Sequence, residues 1–311
     1  MILTITMNPS LDISYSLDKF SLNSVNRCIS TVKTAGGKGL NVSRVLYEIG
    51  ENVVATGLLG GKIGDYIEAE LEKINIKNDF YRIKNESRNC IAILHEDNQT
   101  EILENGPLIS DLEADEFLKH FEKLLLRSDV ITISGSLPKG LNSNYYVKML
   151  EISSRHLKPI IIDCSGDNLK RVVINKYKPT FIKPNIDEMS QLVGTGIDYN
   201  DIESLKRVTD LDLFAGIEWV MISLGEKGSF AKHNNKYYKV NIPKINVINP
   251  VGSGDASIAG IASGIKDKLG DEALLKKANT LGILNAMEIM TGHINYDNYE
   301  KIFNQIEVLE V

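Results

Sequence analysis

The sequence predicts an α/β protein with a mainly parallel central sheet and a small accessory sheet. Three observations predict it. Short Ile- and Val-rich runs recur along the chain, helix-period segments separate them, and most runs end in Gly, Ser, Asp or Asn, which turn a chain out of a sheet. The runs are Ile2–Met7, Val53–Leu59, Val130–Ser134, Pro159–Asp163, Thr180–Lys183 and Trp219–Ser223. The helical segments between them span 39–50, 64–73, 110–126, 143–156, 185–193 and 199–208. Strands of this kind are buried on both faces, and their ligands collect at the carboxyl ends. After a hairpin at Ser229–Pro243, segments 255–269, 272–290 and 296–306 read as helices.

Two stretches break the alternation. Residues 11–33 and 87–105 read as extended, with Cys90–Leu94 and Thr100–Glu104 bracketing a turn at Asp97-Asn98-Gln99. They form either a small separate sheet or two further edge strands of the main one. A separate sheet is expected to act as a lid that excludes water from a pocket. Residues 1–311 thus read as a single unit carrying a lid built from about 11–33 and 87–105.

Composition narrows the partners. The chain has 311 residues, of which 43% are hydrophobic and 24% charged, and a net charge of -6. No basic stripe or tail stands out, which argues against nucleic-acid and anionic-membrane partners, so an anionic ligand must be held by local positive groups. Cys28, Cys90 and Cys164 have no CxxC spacing, which disfavours a disulfide framework and a structural zinc and points to a reducing cytoplasm. The apolar start Met1–Met7 stops at Asn8-Pro9, too short for a signal or a membrane span.

The chemistry centres on Asn249-Pro250-Val251-Gly252-Ser253-Gly254-Asp255-Ala256-Ser257. Glycines at 252 and 254 let backbone N–H groups around Ser253 converge, and the following helix dipole favours an anion there. Asp255 beside such a nest suits a hydroxyl that loses its proton while attacking a phosphoryl group. The same residues also suit a tight turn with Asp255 as a helix cap.

Ala35-Gly36-Gly37-Lys38-Gly39-Leu40-Asn41 starts a helix and lets backbone approach a ligand closely. It is neither a Walker A loop, since Gly39 stands where Ser or Thr is needed, nor a GxGxxG fingerprint. Asp12 suits sugar hydroxyls or a turn, and Arg88 suits a phosphate or solvent. Ser134–Gly140 is expected on the pocket floor. Lys183-Pro184-Asn185-Ile186-Asp187-Glu188 combines a cation with acids able to organise hydrated Mg²⁺, although Asn185 and Glu188 also have capping-box spacing. Ser223–Gly228 is another Gly-bearing turn after a strand. The five histidines, at 95, 120, 156, 233 and 293, are scattered and read as structural or surface residues.

Asn8-Pro9-Ser10-Leu11-Asp12, Gly36–Asn41, Lys183-Pro184-Asn185 with Glu188, and Gly252-Ser253-Gly254-Asp255, in that order, resemble the ribokinase-like (PfkB) carbohydrate kinases over essentially the full length. Val25-Asn26-Arg27, Lys38–Asn41 and Ser134–Pro138 resemble the branch that acts on ketohexose phosphates. The resemblance implies a three-layer αβα sandwich with a β-sheet lid, and ATP-dependent phosphorylation with Mg²⁺. It implies tagatose 6-phosphate as acceptor, with fructose 1-phosphate as the alternative, and a homodimer through the lid.

It also implies roles for residues. Asp255 is the base, and the Gly252, Ser253 and Gly254 amides hold the transferring phosphoryl. Lys183 contacts ATP phosphates, and Asn185 and Glu188 organise the metal through water. Ser223, Gly225, Gly228, Asn279 and Asn285 border the nucleotide. Asp12, Gly37 and Asn41 hold sugar hydroxyls, Lys38 and Arg88 take the existing phosphate, and Arg27 acts from the lid across a subunit boundary. Two rivals remain: a non-catalytic sugar-phosphate sensor, and a nicotinamide oxidoreductase, which the missing GxGxxG disfavours.

Overall fold

The structure, a computed structural model, describes residues 1–311. In chain order it contains β1 (Ile2–Thr6), β2 (Ser10–Leu17), β3 (Ser30–Gly36), α1 (Lys38–Glu48), β4 (Val53–Gly60), α2 (Gly61–Lys73), β5 (Lys77–Asn78), β6 (Tyr81–Ile83), β7 (Arg88–His95) and β8 (Asn98–Leu103). Then come α3 (Asp111–Leu126), β9 (Val130–Ser134), α4 (Tyr145–Arg155), β10 (Ile160–Asp163), α5 (Gly166–Ile174), β11 (Phe181–Ile182), α6 (Ile186–Val193) and α7 (Ile202–Thr209). The chain ends with β12 (Trp219–Ser223), β13 (Ser229–His233), β14 (Lys236–Asn241), α8 (Ser253–Lys266), α9 (Asp271–Ala286), α10 (Tyr299–Phe303) and β15 (Glu307–Glu310).

The main sheet has eleven strands in the order β15-β14-β13-β12-β11-β10-β9-β1-β4-β5, with β6 also paired to β4. From β12 through β5 every pair is parallel; β13, β14 and β15 add an antiparallel edge. Side chains alternate across a strand, so each central strand feeds two cores. Leu3, Ile5, Ile160 and Ile162 point into a core shared with Phe117 and Phe121 of α3, Met149 of α4, Val172 of α5 and Met189 of α6. Ile2 and Ile161 point the other way, toward Val42 and Val45 of α1, Ile258 of α8 and Leu281 of α9. The result is the three-layer arrangement, with both faces of the sheet dry.

The two extended stretches form a separate four-stranded sheet, ordered β3-β2-β7-β8, rather than added edges of the main one. Its strands reach Gly36, beyond the predicted limit at 33, and its hairpin turns at Glu96-Asp97 rather than at 97–99. Both turn residues have positive φ, 49° and 59°, as a two-residue hairpin requires.

Other boundaries move for local reasons. Gly252, at φ 86°, caps α8, so the helix starts at Ser253 and Asp255 lies inside its first turn. The 272–290 segment stops at Ala286, where the chain leaves to meet the turn before α8. Segment 296–306 divides into a 3₁₀ turn at Tyr296–Asn298 and a short α10. Helix α5 and edge strand β15 lie outside the predicted elements. No helix is long and apolar enough to cross a membrane.

Candidate active site

Strand ends β1, β9, β10, β11 and β12 open on one edge of the sheet, and α8 and α1 approach that edge from one face. Helix α8 packs against α9 at backbone distance: a Cβ on Gly260 would stand 2.7 Å from Ala278 Cα, and one on Gly282 2.5 Å from Ser257 Oγ. Small residues therefore fix the height of α8, and with it the turn at 249–254.

That turn is braced from behind. Asn285 Nδ2 donates to Val251 O at 2.9 Å, and Gly292 N donates to Asn285 Oδ1 at 2.8 Å. A Cβ on Gly252 would stand 2.6 Å from Thr291 Cγ2. Within the turn, Ser253 N points at Pro250 O at 3.3 Å, while the N–H groups of Gly252, Gly254 and Asp255 have no acceptor in the chain. Free donors at a helix N-terminus are the geometry that binds an anion. Ser253 Oγ is buried without a partner.

Asp255 is 5% exposed. Its Oδ2 accepts from Asn41 Nδ2 at 2.7 Å, so the carboxylate is committed to a contact across the site and does not cap the helix. Burial, and then the neighbouring Asp163, push its pKa up to about 7; Lys38, the Asn41 hydrogen bond and Lys183 pull the other way. A carboxyl poised near neutrality is suited to exchanging a proton at neutral pH.

The cations converge on the same space. A Cβ on Gly254 would stand 3.2 Å from Lys183 Nζ, and Lys183 is buried at the end of β11. Lys38 Nζ lies 3.4 Å from Asp163 Oδ2, and this carboxylate, with Asp255 and Glu188, holds the lysine pKa above its usual value despite partial burial. Gly135 packs beside Lys38, its notional Cβ 3.7 Å from Lys38 Cβ, which places the 134–140 turn under the site.

On the second sheet, Asp12 accepts from Ser10 Oγ at 2.6 Å, and burial raises its pKa. A Cβ on Gly36 would stand 2.0–2.2 Å from the Asp12 carboxyl atoms, so a side chain there would have to displace that carboxyl. Gly37, at φ 118°, is the one-residue link from β3 to α1. Arg88 is half-buried and donates to Asn8 O at 3.2 Å and Glu104 O at 2.9 Å.

The metal-ligand candidates Asn185 and Glu188 form a capping box on α6: Asn185 N donates to Glu188 Oε2 at 2.9 Å, and Glu188 N donates to Asn185 Oδ1 at 2.8 Å. Glu188 Oε1 remains without a partner. One spare carboxylate oxygen fits a hydrated Mg²⁺ held through water; direct ligation by Asn185 Oδ1 would compete with the cap. Ser223 sits beside Asn185 through an isolated bridge, and Gly225 (φ 58°) begins the exposed turn after it. Gly228 faces Val240 O, where a Cβ would stand 2.1 Å away.

Not every candidate is brought together. Asn279 spends its amide on Ser229 Oγ (3.1 Å) and Leu275 O (2.8 Å), and Arg27 lies in the exposed 18–29 loop. Asp163, outside the sequence candidates, stands beside Ser134 at a parallel strand end and is drawn into the site by Lys38.

Comparison with known proteins gives this geometry a context. Residues 5–294 match the pfkB family carbohydrate kinase. Proteins named tagatose-6-phosphate kinase from two strains of Staphylococcus epidermidis are 57% identical over 311 residues, covering 100% of both chains. A solved Staphylococcus aureus structure, provisionally assigned as a phosphofructokinase, superposes with a TM-score of 0.87 at 29% identity, covering 100% of this chain and 99% of that one. Escherichia coli phosphofructokinase-2, solved with fructose-6-phosphate, has the same fold, with a TM-score of 0.86 at 22% identity over 97% of this chain and 98% of its own. Both the family match and the full-length relatives cover the buried Asp255 and the open amides before it: the chain belongs to the pfkB family of carbohydrate kinases.

Proposed function

We propose that the chain transfers the γ-phosphoryl group of ATP to the 1-hydroxyl of tagatose 6-phosphate, giving the 1,6-bisphosphate. The reaction type rests on one observation: a buried carboxylate near neutral pKa stands next to unpaired amides at a helix N-terminus. The sugar rests on the relatives that share 57% of residues along the whole length.

In this reading Asp255 takes the proton of the attacking hydroxyl, and the 252–254 amides and Lys183 offset charge on the transferred group. Glu188 and Asn185 would hold Mg²⁺ through its water shell, and the ion would supply neutralisation of phosphate charge. Asp12, Gly37 and Asn41 hold the sugar, with Lys38 and Arg88 toward its phosphate. The turn bearing Ser223, Gly225 and Gly228, with Asn279 of α9 behind it, borders the nucleotide together with Asn285, which acts from behind the 249–254 turn.

The second sheet acts as the lid, and two lids pair in a homodimer. Leu22, Val25, Ile29 and Val32 are 82, 80, 66 and 53% exposed around Arg27, an apolar surface that a second copy would cover. Three unpaired cysteines support a reducing, cytoplasmic setting.

Purified protein given Mg-ATP with tagatose 6-phosphate, fructose 6-phosphate or fructose 1-phosphate tests the assignment through ADP release. The highest kcat/KM is expected for tagatose 6-phosphate. A clear preference for fructose 1-phosphate would replace the substrate, and no ADP release with any sugar would leave a sensor.

A further inference from the structure

We infer that Arg44 is a positioning residue whose guanidinium fixes the Asn41 amide in the one orientation that donates to Asp255. Arg44 follows Asn41 by one turn of α1 and is 7% exposed. Its Nη2 donates to Asn41 Oδ1, and Asn41 Nδ2 donates to Asp255 Oδ2 at 2.7 Å. An amide has one donating and one accepting end. Rotated by half a turn, Asn41 would set its oxygen against the Asp255 carboxylate and its NH₂ against the guanidinium, two repulsive contacts. Asp255 alone favours the observed orientation when ionised, but a protonated Asp255 donates as readily as it accepts; Arg44, which only donates, keeps the choice fixed in both states.

The guanidinium is itself immobilised. Nη1 donates to Ala35 O at 2.6 Å, at the end of β3, and Nη2 reaches Thr291 O at 3.5 Å, in the loop that braces Gly252. Nε is buried without a partner, and Arg44 makes no ion pair. Burial holds its pKa below the usual value, offset by the more distant Asp12, Glu48 and Asp255. An unpaired buried cation is costly to keep. Its stability contribution does not explain its presence, whereas its place behind Asn41 does. The other charged groups facing Asp255 are Asp163, Lys183 and Lys38, the last also on α1, and the Asn41 bond is the one hydrogen bond its carboxylate makes to that helix.

The inference rests on Asp255 being the base, and the test separates the two. Arg44→Gln and Asn41→Ala are each expected to lower kcat by about 10- to 100-fold, the worth of a charge-assisted hydrogen bond. Both should move the acidic limb of the pH–kcat profile upward, because Asp255 loses a donor that favours its charged form. The double variant should lose no more than the worse single one. Additive losses, or an unmoved limb in Arg44→Gln, would overturn the role, since a structural residue lowers the melting temperature without shifting the limb. If Arg44→Gln does not fold, Arg44→Lys, which keeps the charge without the fork, must show the same non-additivity with Asn41→Ala. Near wild-type turnover in Asp255→Asn would instead sink the base reading. An inactive Asp255→Asn with additive Arg44 and Asn41 effects sinks only this inference.

Discussion

The edge of the main sheet and the second sheet contribute to the site in opposite ways. Every residue of β1 and β9 is buried, whereas every residue of β8 is exposed. The main sheet supplies groups on dry, braced backbone, Asp163, Lys183 and the 252–254 turn. The second sheet covers one face only: Leu11, Ile13, Ala35 and Ile93 are buried, Ala35 against Ile67 and Leu71 of α2. Its other face carries Asp12, Cys90, Glu101, Val32 and Leu103, with little packed over it. Charge handling needs a low-dielectric, fixed setting, and acceptor entry needs a surface that opens. Under the proposed function the two sheets divide these demands.

The largest effect should come from the dry region. Asp255→Asn is expected to lower kcat by about 10²- to 10⁴-fold, as for a lost general base. Its melting temperature should hold, because the amide keeps the shape and removes a costly buried charge. Parallel loss of activity and stability would break the division. A second test uses pH. Below the Asp255 pKa of about 7 the carboxyl is protonated and cannot take the hydroxyl proton, so kcat should fall about tenfold per pH unit below that point and level off above it. Rate profiles across neutral pH with saturating substrates check this, and a flat profile on the acid side would remove Asp255 from the step.

Gly36→Ala probes the second sheet. The added methyl must displace the Asp12 carboxyl, so KM for the sugar should rise about tenfold, the worth of one good hydrogen bond, while KM for ATP stays put. Equal changes in both constants would mean that the sheet does not act on the acceptor alone. The smallest effect is expected at Val32, which is 53% exposed. Val32→Ser should change monomer stability by about 0.5 kcal/mol or less. If the open face pairs with a second copy, the melting temperature of the wild type will depend on protein concentration and that of Val32→Ser will depend on it less.

The parallel sheet was legible because its strands are apolar throughout and end in turn residues, a pattern that only two-sided burial requires. The second sheet was legible as extended chain, but its separation from the main sheet depends on β2 pairing with β7, a contact between Ser10 and Arg88 that no local pattern encodes. Helix α5 was missed although Leu169, Val172 and Val173 have helical spacing, because one short turn-flanked segment offers too few periods. Strand β15 exists only because β14 leaves an open edge beside it. At the site, the glycine turns and Asp255 stood out by local density. Asp163 and Arg44 did not, since one is defined by Lys38 and the other by Asn41 and Thr291, partners that only the fold brings near.

The pairing of β2 with β7 also sets an order of assembly. A chain made from its N-terminus cannot complete the Asp12 face until Leu103 has emerged, because β7 pairs with β2 and β8 with β7. By then α1 and α2 are already available, so Asn41 and Arg44 wait in place. Asp255 arrives much later in synthesis, after the main sheet has grown through β14. A nascent chain thus holds Asp12, Asn41 and Arg44 long before it holds Asp255, and the Asn41–Asp255 contact forms only when α8 docks between α1 and α9.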